Sequence, residues 1–156
     1  MRILIVGSGG REHAIAWSLK QTSDKVDLFV VPGNAGTAGI ATNIPIDVAN
    51  ISGIVGAVRD YSVDLTVVGP EIPLSLGLVD ALQADGFRVV GPSRAAARLE
   101  SSKVFAKLLM ENNKIPTANA NIFDDPSAAR NFCMEAGLPL VVNCLLYTSP
   151  SPRARG

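Results

Sequence analysis

The residue types best suited to chemistry stand in short glycine-rich runs, the first being Gly7-Ser8-Gly9-Gly10-Arg11-Glu12-His13. Glycines let a backbone come close to a ligand, and the amides and dipole at the start of a following helix favour negative charge. The run is therefore suited to an anion. A dinucleotide fingerprint would read G-x-G-x-x-G, yet its last position here is Glu12. The acidic residue wanted about 20 residues further on to hold a ribose is replaced by Pro32-Gly33-Asn34. Those two departures argue against an NAD-dependent oxidoreductase domain. The Gly-Lys-Ser/Thr of a P-loop is also missing from the run. A phosphate carried by a smaller molecule fits it better; a tight turn without a ligand is the plainer alternative.

Glu71 lies in Gly69-Pro70-Glu71-Ile72-Pro73, where two prolines fix φ and stiffen the chain. A rigid carboxylate there can accept two hydrogen bonds from neighbouring sugar hydroxyls, or it can simply be an acid favoured in a first helical turn. Both readings stand on the residues alone. His13 is the only histidine and has no identifiable Ser or Cys nucleophile to serve, so a catalytic base is not supported. With that one histidine, two cysteines (Cys133 and Cys144) and no Cys-x-x-Cys spacing, no metal site is expected.

The elements that position these residues follow a regular rhythm. Ile3–Val6, Val26–Val31, Leu65–Val68 and Phe87–Val90 read as strands, and each runs promptly into glycine. A weaker strand is expected near Ile44–Val48. Between them lie helical patterns: Arg11–Lys20 with Ile15 and Leu19 on one face, then Ile51, Ile54, Val55 and Val58, then Leu74, Leu78 and Leu82 at every fourth residue. Strand, glycine and helix in repetition give an α/β fold with a doubly wound parallel sheet. In such sheets ligands sit at the carboxyl ends of the strands, which here are the loops Gly7–Arg11, Pro32–Thr37, Gly69–Pro73 and Gly91–Ser93.

From Ser101 the rhythm changes. Val104, Phe105, Leu108 and Leu109 mark an amphipathic helix stopped by Asn112-Asn113, Asn119–Phe123 suggests a strand, and Asp125-Pro126 opens a further helix that Gly137 ends. Cys133 falls on the apolar face of that helix and is expected in a core. Leu140–Val142 suggests another strand. The last stretch, CLLYTSPSPRARG from Cys144 to Gly156, has neither period and is expected to be disordered and non-native.

Composition narrows the partners. Of 156 residues 47% are hydrophobic, enough for a core, and the formal net charge is zero with no basic cluster before the last few residues. A nucleic-acid surface, which needs clustered Lys and Arg, is therefore not expected. No apolar run reaches the roughly 20 residues that span a bilayer, so no membrane span is expected either. Met1–Gly7 is too short in apolar residues for a signal peptide and reads as a first strand. A reduced, cytoplasmic protein is the expectation.

Taken together, GSGGREHAIAW from Gly7, PGNAGTA at 32–38, VGPEIPL at 68–74, and GPSRAAARLESSKVFAKLL running into IPTA at 91–118 resemble the phosphoribosylamine–glycine ligase family in order and spacing. The likeness covers residues 1 to about 142. It implies a Rossmann-like domain over residues 1–100 that binds the phosphosugar, followed at 101–143 by the start of an ATP-grasp domain. It further implies an ATP-dependent carbon–nitrogen ligase of purine biosynthesis, which joins glycine to 5-phosphoribosylamine. By that likeness Gly9, Gly10, Arg11 and Glu12 line the phosphosugar pocket, Asn34 and Thr37 sit in the facing loop, Glu71 meets ribose hydroxyls, and Lys103 reaches ATP.

The sequence departs from the family after Val142, where Asn143-Cys144-Leu145-Leu146-Tyr147 stands in place of a lysine and a glycine-rich phosphate loop. The remaining ATP-site residues and the acidic ligands for Mg (or Mn) would follow. The resemblance thus implies a truncated ligase, inactive alone and holding no cofactor of its own. The competing reading is a stand-alone phosphosugar-binding or regulatory module without catalysis.

Overall fold

The computed structural model describes residues 1–22, 25–137 and 139–142. The chain divides into two compact units, Met1–Arg98 and Leu99–Gly156. The first holds five parallel strands, β1 (Arg2–Gly7), β2 (Asp27–Pro32), β3 (Thr42–Asn43), β4 (Leu65–Val68) and β5 (Val89–Val90), in the order β3-β2-β1-β4-β5. This is the doubly wound sheet that the alternation of strands, glycines and helices called for.

β1 lies at the centre and is buried on both faces, which explains its unbroken apolar run. Ile3 and Ile5 face one layer with Leu28, Val30 and the inner residues Ile15, Ala16 and Leu19 of α1 (Gly10–Thr22). Leu4 and Val6 face the other layer, where α2 (Ile51–Asp60), α3 (Glu71–Ser75) and α4 (Leu78–Ala84) pack against the sheet. Full burial of a side chain such as Leu4, Ile5, Ile54 or Leu78 is worth about 1.5–3 kcal/mol. Thr66, opposite Leu4 on β4, is fully buried in this second layer with an unpartnered hydroxyl.

Several elements differ from the sequence expectation. The strand expected at Ile44–Val48 lies earlier, at Thr42–Asn43, because Pro45 has no N–H to continue the ladder past Ile44. The helix expected through Leu74, Leu78 and Leu82 is broken into α3 and α4 by Gly77, whose φ of 89° is left-handed. All three leucines are nevertheless buried. The strand expected over Phe87–Val90 keeps only its last two residues in pairing. α5 (Arg94–Ser101) follows β5, and its Ala97 is buried in the first unit's core.

In the second unit α6 (Lys103–Asn112) is capped by Ser102, and α7 (Pro126–Ala136) by Asp125, whose carboxylate accepts from the Ser127 and Ala128 amides. Neither helix buries a residue, and Cys133 is only half-buried rather than core. The strands expected at Asn119–Phe123 and Leu140–Val142 are not formed, and both segments are exposed. A strand needs a neighbour to pair with, and among the described residues this unit offers none. The segment from Cys144 to Gly156, expected to be disordered, lies outside the described residues. No described helix is long and apolar enough to cross a membrane.

Candidate functional site

The order β3-β2-β1-β4-β5 reverses direction between β1 and β4, and a crevice opens beyond the carboxyl ends of strands at such a switch point. The loops that leave β1 and β4 carry Gly9–Glu12 and Gly69–Glu71. β2, on the other side of β1, delivers Asn34–Thr37.

The β1 loop is organised by Glu12. Gly9 precedes the first residue of α1 and Glu12 comes three residues later, the spacing at which a side chain reaches back to the cap amide. Glu12 Oε2 accepts from the Gly9 amide at 2.8 Å, and Oε1 accepts from Arg11 Nε at 3.1 Å. The residue is 3% exposed. It fills the space that Gly7, Gly9 and Gly69 leave open, so a Cβ at Gly9 would lie 2.9 Å from its Oε2. Gly10 differs: a Cβ there would meet nothing within 4 Å.

Arg11 crosses from this loop to the next. Its Nη2 donates to the Gly69 carbonyl at 2.7 Å and lies 3.9 Å from Glu71 Oε1. Both side chains are about half exposed, so that ion pair contributes little to stability. Glu71 opens α3 after an extended Pro70. Arg11 thus stands between the Glu12 and Glu71 carboxylates.

Asn34 ties the β1 loop on its other side. Its Nδ2 donates to the Ser8 carbonyl at 2.9 Å, while its Oδ1 accepts from the Gly36 and Thr37 amides. Thr37 is fully buried; its hydroxyl accepts from the Asn34 amide and donates to Asn43 Oδ1 at 2.8 Å. His13 packs its ring where a Cβ on Gly36 would stand. The structure therefore brings Gly9, Gly10, Arg11, Glu12, Asn34, Thr37 and Glu71 together in the first unit. Glu12 and Thr37 serve as internal struts, whereas Gly10, Arg11 and Glu71 face outward. Lys103 belongs to the second unit, as the exposed first residue of α6.

Sequence reasoning named Glu12 and Thr37 but did not read them as struts. The three-residue spacing from Gly9 to Glu12 was the available signal for one of them. Asn43, whose Nδ2 donates to the Asn34 carbonyl at 2.8 Å, carried no local signal because it acts from the next strand.

The sequence matches the family described as phosphoribosylglycinamide synthetase, N domain, over residues 1–100. The chain belongs to this family. It is similar to phosphoribosylamine–glycine ligase of Nostoc, with 45% identity over 144 residues covering 91% of the chain and 34% of the relative. It is likewise 48% identical, over 90% of its length, to the trifunctional purine biosynthetic protein adenosine-3 of Gallus gallus, of which it spans 14%. Among solved structures it superposes on phosphoribosylamine–glycine ligase from Thermotoga maritima with a TM-score of 0.67 and 30% identity, covering 89% of the chain and 31% of that one. The synthetase N-domain match spans the whole first unit, and the chain spans about a third of the ligases it resembles.

Proposed function

We propose that the first unit holds a phosphosugar, 5-phosphoribosylamine, for an ATP-dependent ligase that joins it to glycine and forms glycinamide ribonucleotide. The observation that carries this reading is the meeting of Arg11 and Glu71, 3.9 Å apart, across the carboxyl ends of β1 and β4 at the switch point. Open space over Gly10 lets a ligand approach the start of α1, whose first amides have no partners within the helix. Arg11 supplies positive charge, and the exposed Glu71 carboxylate can accept from adjacent ribose hydroxyls. Gly9, Glu12, Asn34 and Thr37 complete the site by holding the loops in place. Residues 1–100 form the phosphosugar domain in this reading, and 101–143 open an ATP-grasp domain whose Lys103 reaches ATP.

ATP is a substrate of the proposed reaction, and Mg (or Mn) would supply charge to its phosphates. The residues described here do not fit such a metal, since they contain no cluster of three His, Cys, Asp or Glu side chains. The proposal accordingly assigns metal binding and phosphoryl transfer to parts of the ligase other than these residues, in a cytoplasmic enzyme. The chain alone should release no ADP above background from ATP, glycine and phosphoribosylamine.

Ribose 5-phosphate is a stable probe of the sugar site. The chain should bind it in the millimolar range, about −4 kcal/mol, since an open crevice leaves much of the ligand in water. Glu71→Gln keeps the shape but removes the charge. It should weaken ribose 5-phosphate several-fold and leave inorganic phosphate unchanged in an NMR titration; equal effects on the two ligands would refute the assignment of Glu71 to the sugar.

A further inference from the structure

Among the described residues of the first unit, Glu12 is the one buried carboxylate, and its position at the heart of the loop cluster raises the question of what it does there. At 3% exposure it offers almost no surface to a ligand at the strand ends. Its two oxygens are engaged by the Gly9 amide and Arg11 Nε. Its stem and carboxylate fill the space beside glycines of two different strand ends, Gly7 and Gly9 after β1 and Gly69 after β4. Through Arg11 it reaches the Gly69 carbonyl and the Glu71 carboxylate. A charged group taken out of water is costly unless it is fully hydrogen-bonded, so a purely structural filler would serve better as an apolar side chain. A carboxylate is suited to the place because it fixes a guanidinium.

From this arrangement we infer that Glu12 is a positioning residue: its buried carboxylate clamps Arg11 across the β1 and β4 loops and so presents the guanidinium and Glu71 together to the phosphosugar. The inference rests on the proposed sugar site and replaces direct ligand contact by Glu12 with action through Arg11. The three glycines then have a common cause, since each makes room for the same side chain. Gly10, which makes room for nothing inside the protein, is set apart from them.

The test uses the whole chain, 15N-labelled, as wild type, Glu12→Gln, Arg11→Gln and the double variant. Glutamine puts an NH2 donor in place of one carboxylate oxygen; with its remaining oxygen on the Gly9 amide, that NH2 faces the Arg11 Nε–H donor to donor. Without ligand, Glu12→Gln should release the Arg11 Nε–H into fast solvent exchange and shift the Gly9 and Gly69 amides, while amides of the sheet stay in place. With ligand, its dissociation constant for ribose 5-phosphate should rise about tenfold. Arg11→Gln should cause a similar loss, and the double variant should be no worse than Arg11→Gln, because residues acting as one unit are not additive.

An unchanged Arg11 Nε–H and unchanged binding in Glu12→Gln would overturn the inference, as would two losses that add in full. If Glu12→Gln does not fold, Arg11→Gln decides alone, since Arg11 is exposed: it must shift the Gly69 and Gly9 amides and weaken ribose 5-phosphate, and no change in either overturns the clamp. Should the wild type not bind ribose 5-phosphate, the sugar-site reading fails. The ligand-free comparison of the Arg11 Nε–H still decides whether Glu12 holds Arg11.

Discussion

Two regions of the chain carry amphipathic helices of similar length and very different burial. α2, in the first unit, buries Ile54, Val55, Ala57 and Val58 against the sheet, while α6 and α7, in the second, bury nothing. Leu108 and Met134, on these last two helices, are 47% and 80% exposed. The difference lies in what each helix has to pack on. The first unit supplies a five-stranded sheet with two apolar faces. The second supplies, among its described residues, caps, turns and one aromatic contact between Phe123 and Phe132. Amphipathic patterning sets the faces of a helix, and burial depends on a partner surface.

The strongest way to break this comparison is to truncate one leucine in each region. Leu4→Ala opens a cavity at a fully buried position on the central strand and should cost about 3–4 kcal/mol. Leu108→Ala should change stability by less than about 0.5 kcal/mol, as surface substitutions do. Urea denaturation followed by circular dichroism measures both, and a comparable loss from each would mean that α6 has a packing partner after all.

A second contrast separates the glycines of the site. Gly69→Ala places a methyl group on the Glu12 carboxylate, which is held by Gly9 and Arg11 and has little room to move. The expected cost is about 1–3 kcal/mol. Gly10→Ala meets open space at the start of a helix, where alanine is the better helix former, so it should be neutral or slightly stabilising. Thermal unfolding of the two variants tests the claim, and a destabilising Gly10→Ala would show that the space above it is filled from within.

A third test, with an effect of opposite sign, lies in the core. Thr66 hides a hydroxyl with no partner inside the apolar layer of Leu4 and Val68. Thr66→Val keeps the shape and removes the unsatisfied group, so it should stabilise the first unit by about 1 kcal/mol. A loss of stability would mean that the hydroxyl has a hydrogen-bond partner in solution.

The sheet was legible because β-branched runs ending in glycine repeat along the first unit, and because a central parallel strand such as β1 must be apolar on both faces. Strand lengths were less legible. Pairing at β3 is cut off by Pro45, and of the expected fourth run Val89 and Val90 form the strand beside β4. The split between α3 and α4 was hidden because Leu74, Leu78 and Leu82 keep a helical spacing through Gly77, whose left-handed φ belongs to the backbone alone. In the site, glycines and exposed charges could be read from spacing. The strut roles of Thr37 and Asn43 could not, since they depend on where the short β3 strand pairs, and the packing of Glu12 beside Gly69 could not, since β4 lies far along the chain. Strands were expected at Asn119–Phe123 and Leu140–Val142 from local preference, and preference without a pairing neighbour makes no sheet.

The central claim is that the β1/β4 crevice of the first unit receives the phosphosugar by close approach over Gly10. A residue-resolved NMR titration of the chain with ribose 5-phosphate, repeated on Gly10→Ala, tests it most directly. The account predicts shifts at Gly9, Gly10, Arg11 and Glu71, none at Lys103 or along α7, and a severalfold weaker dissociation constant in Gly10→Ala with its fold unchanged. Shifts centred elsewhere, or equal binding by Gly10→Ala and the wild type, would contradict it.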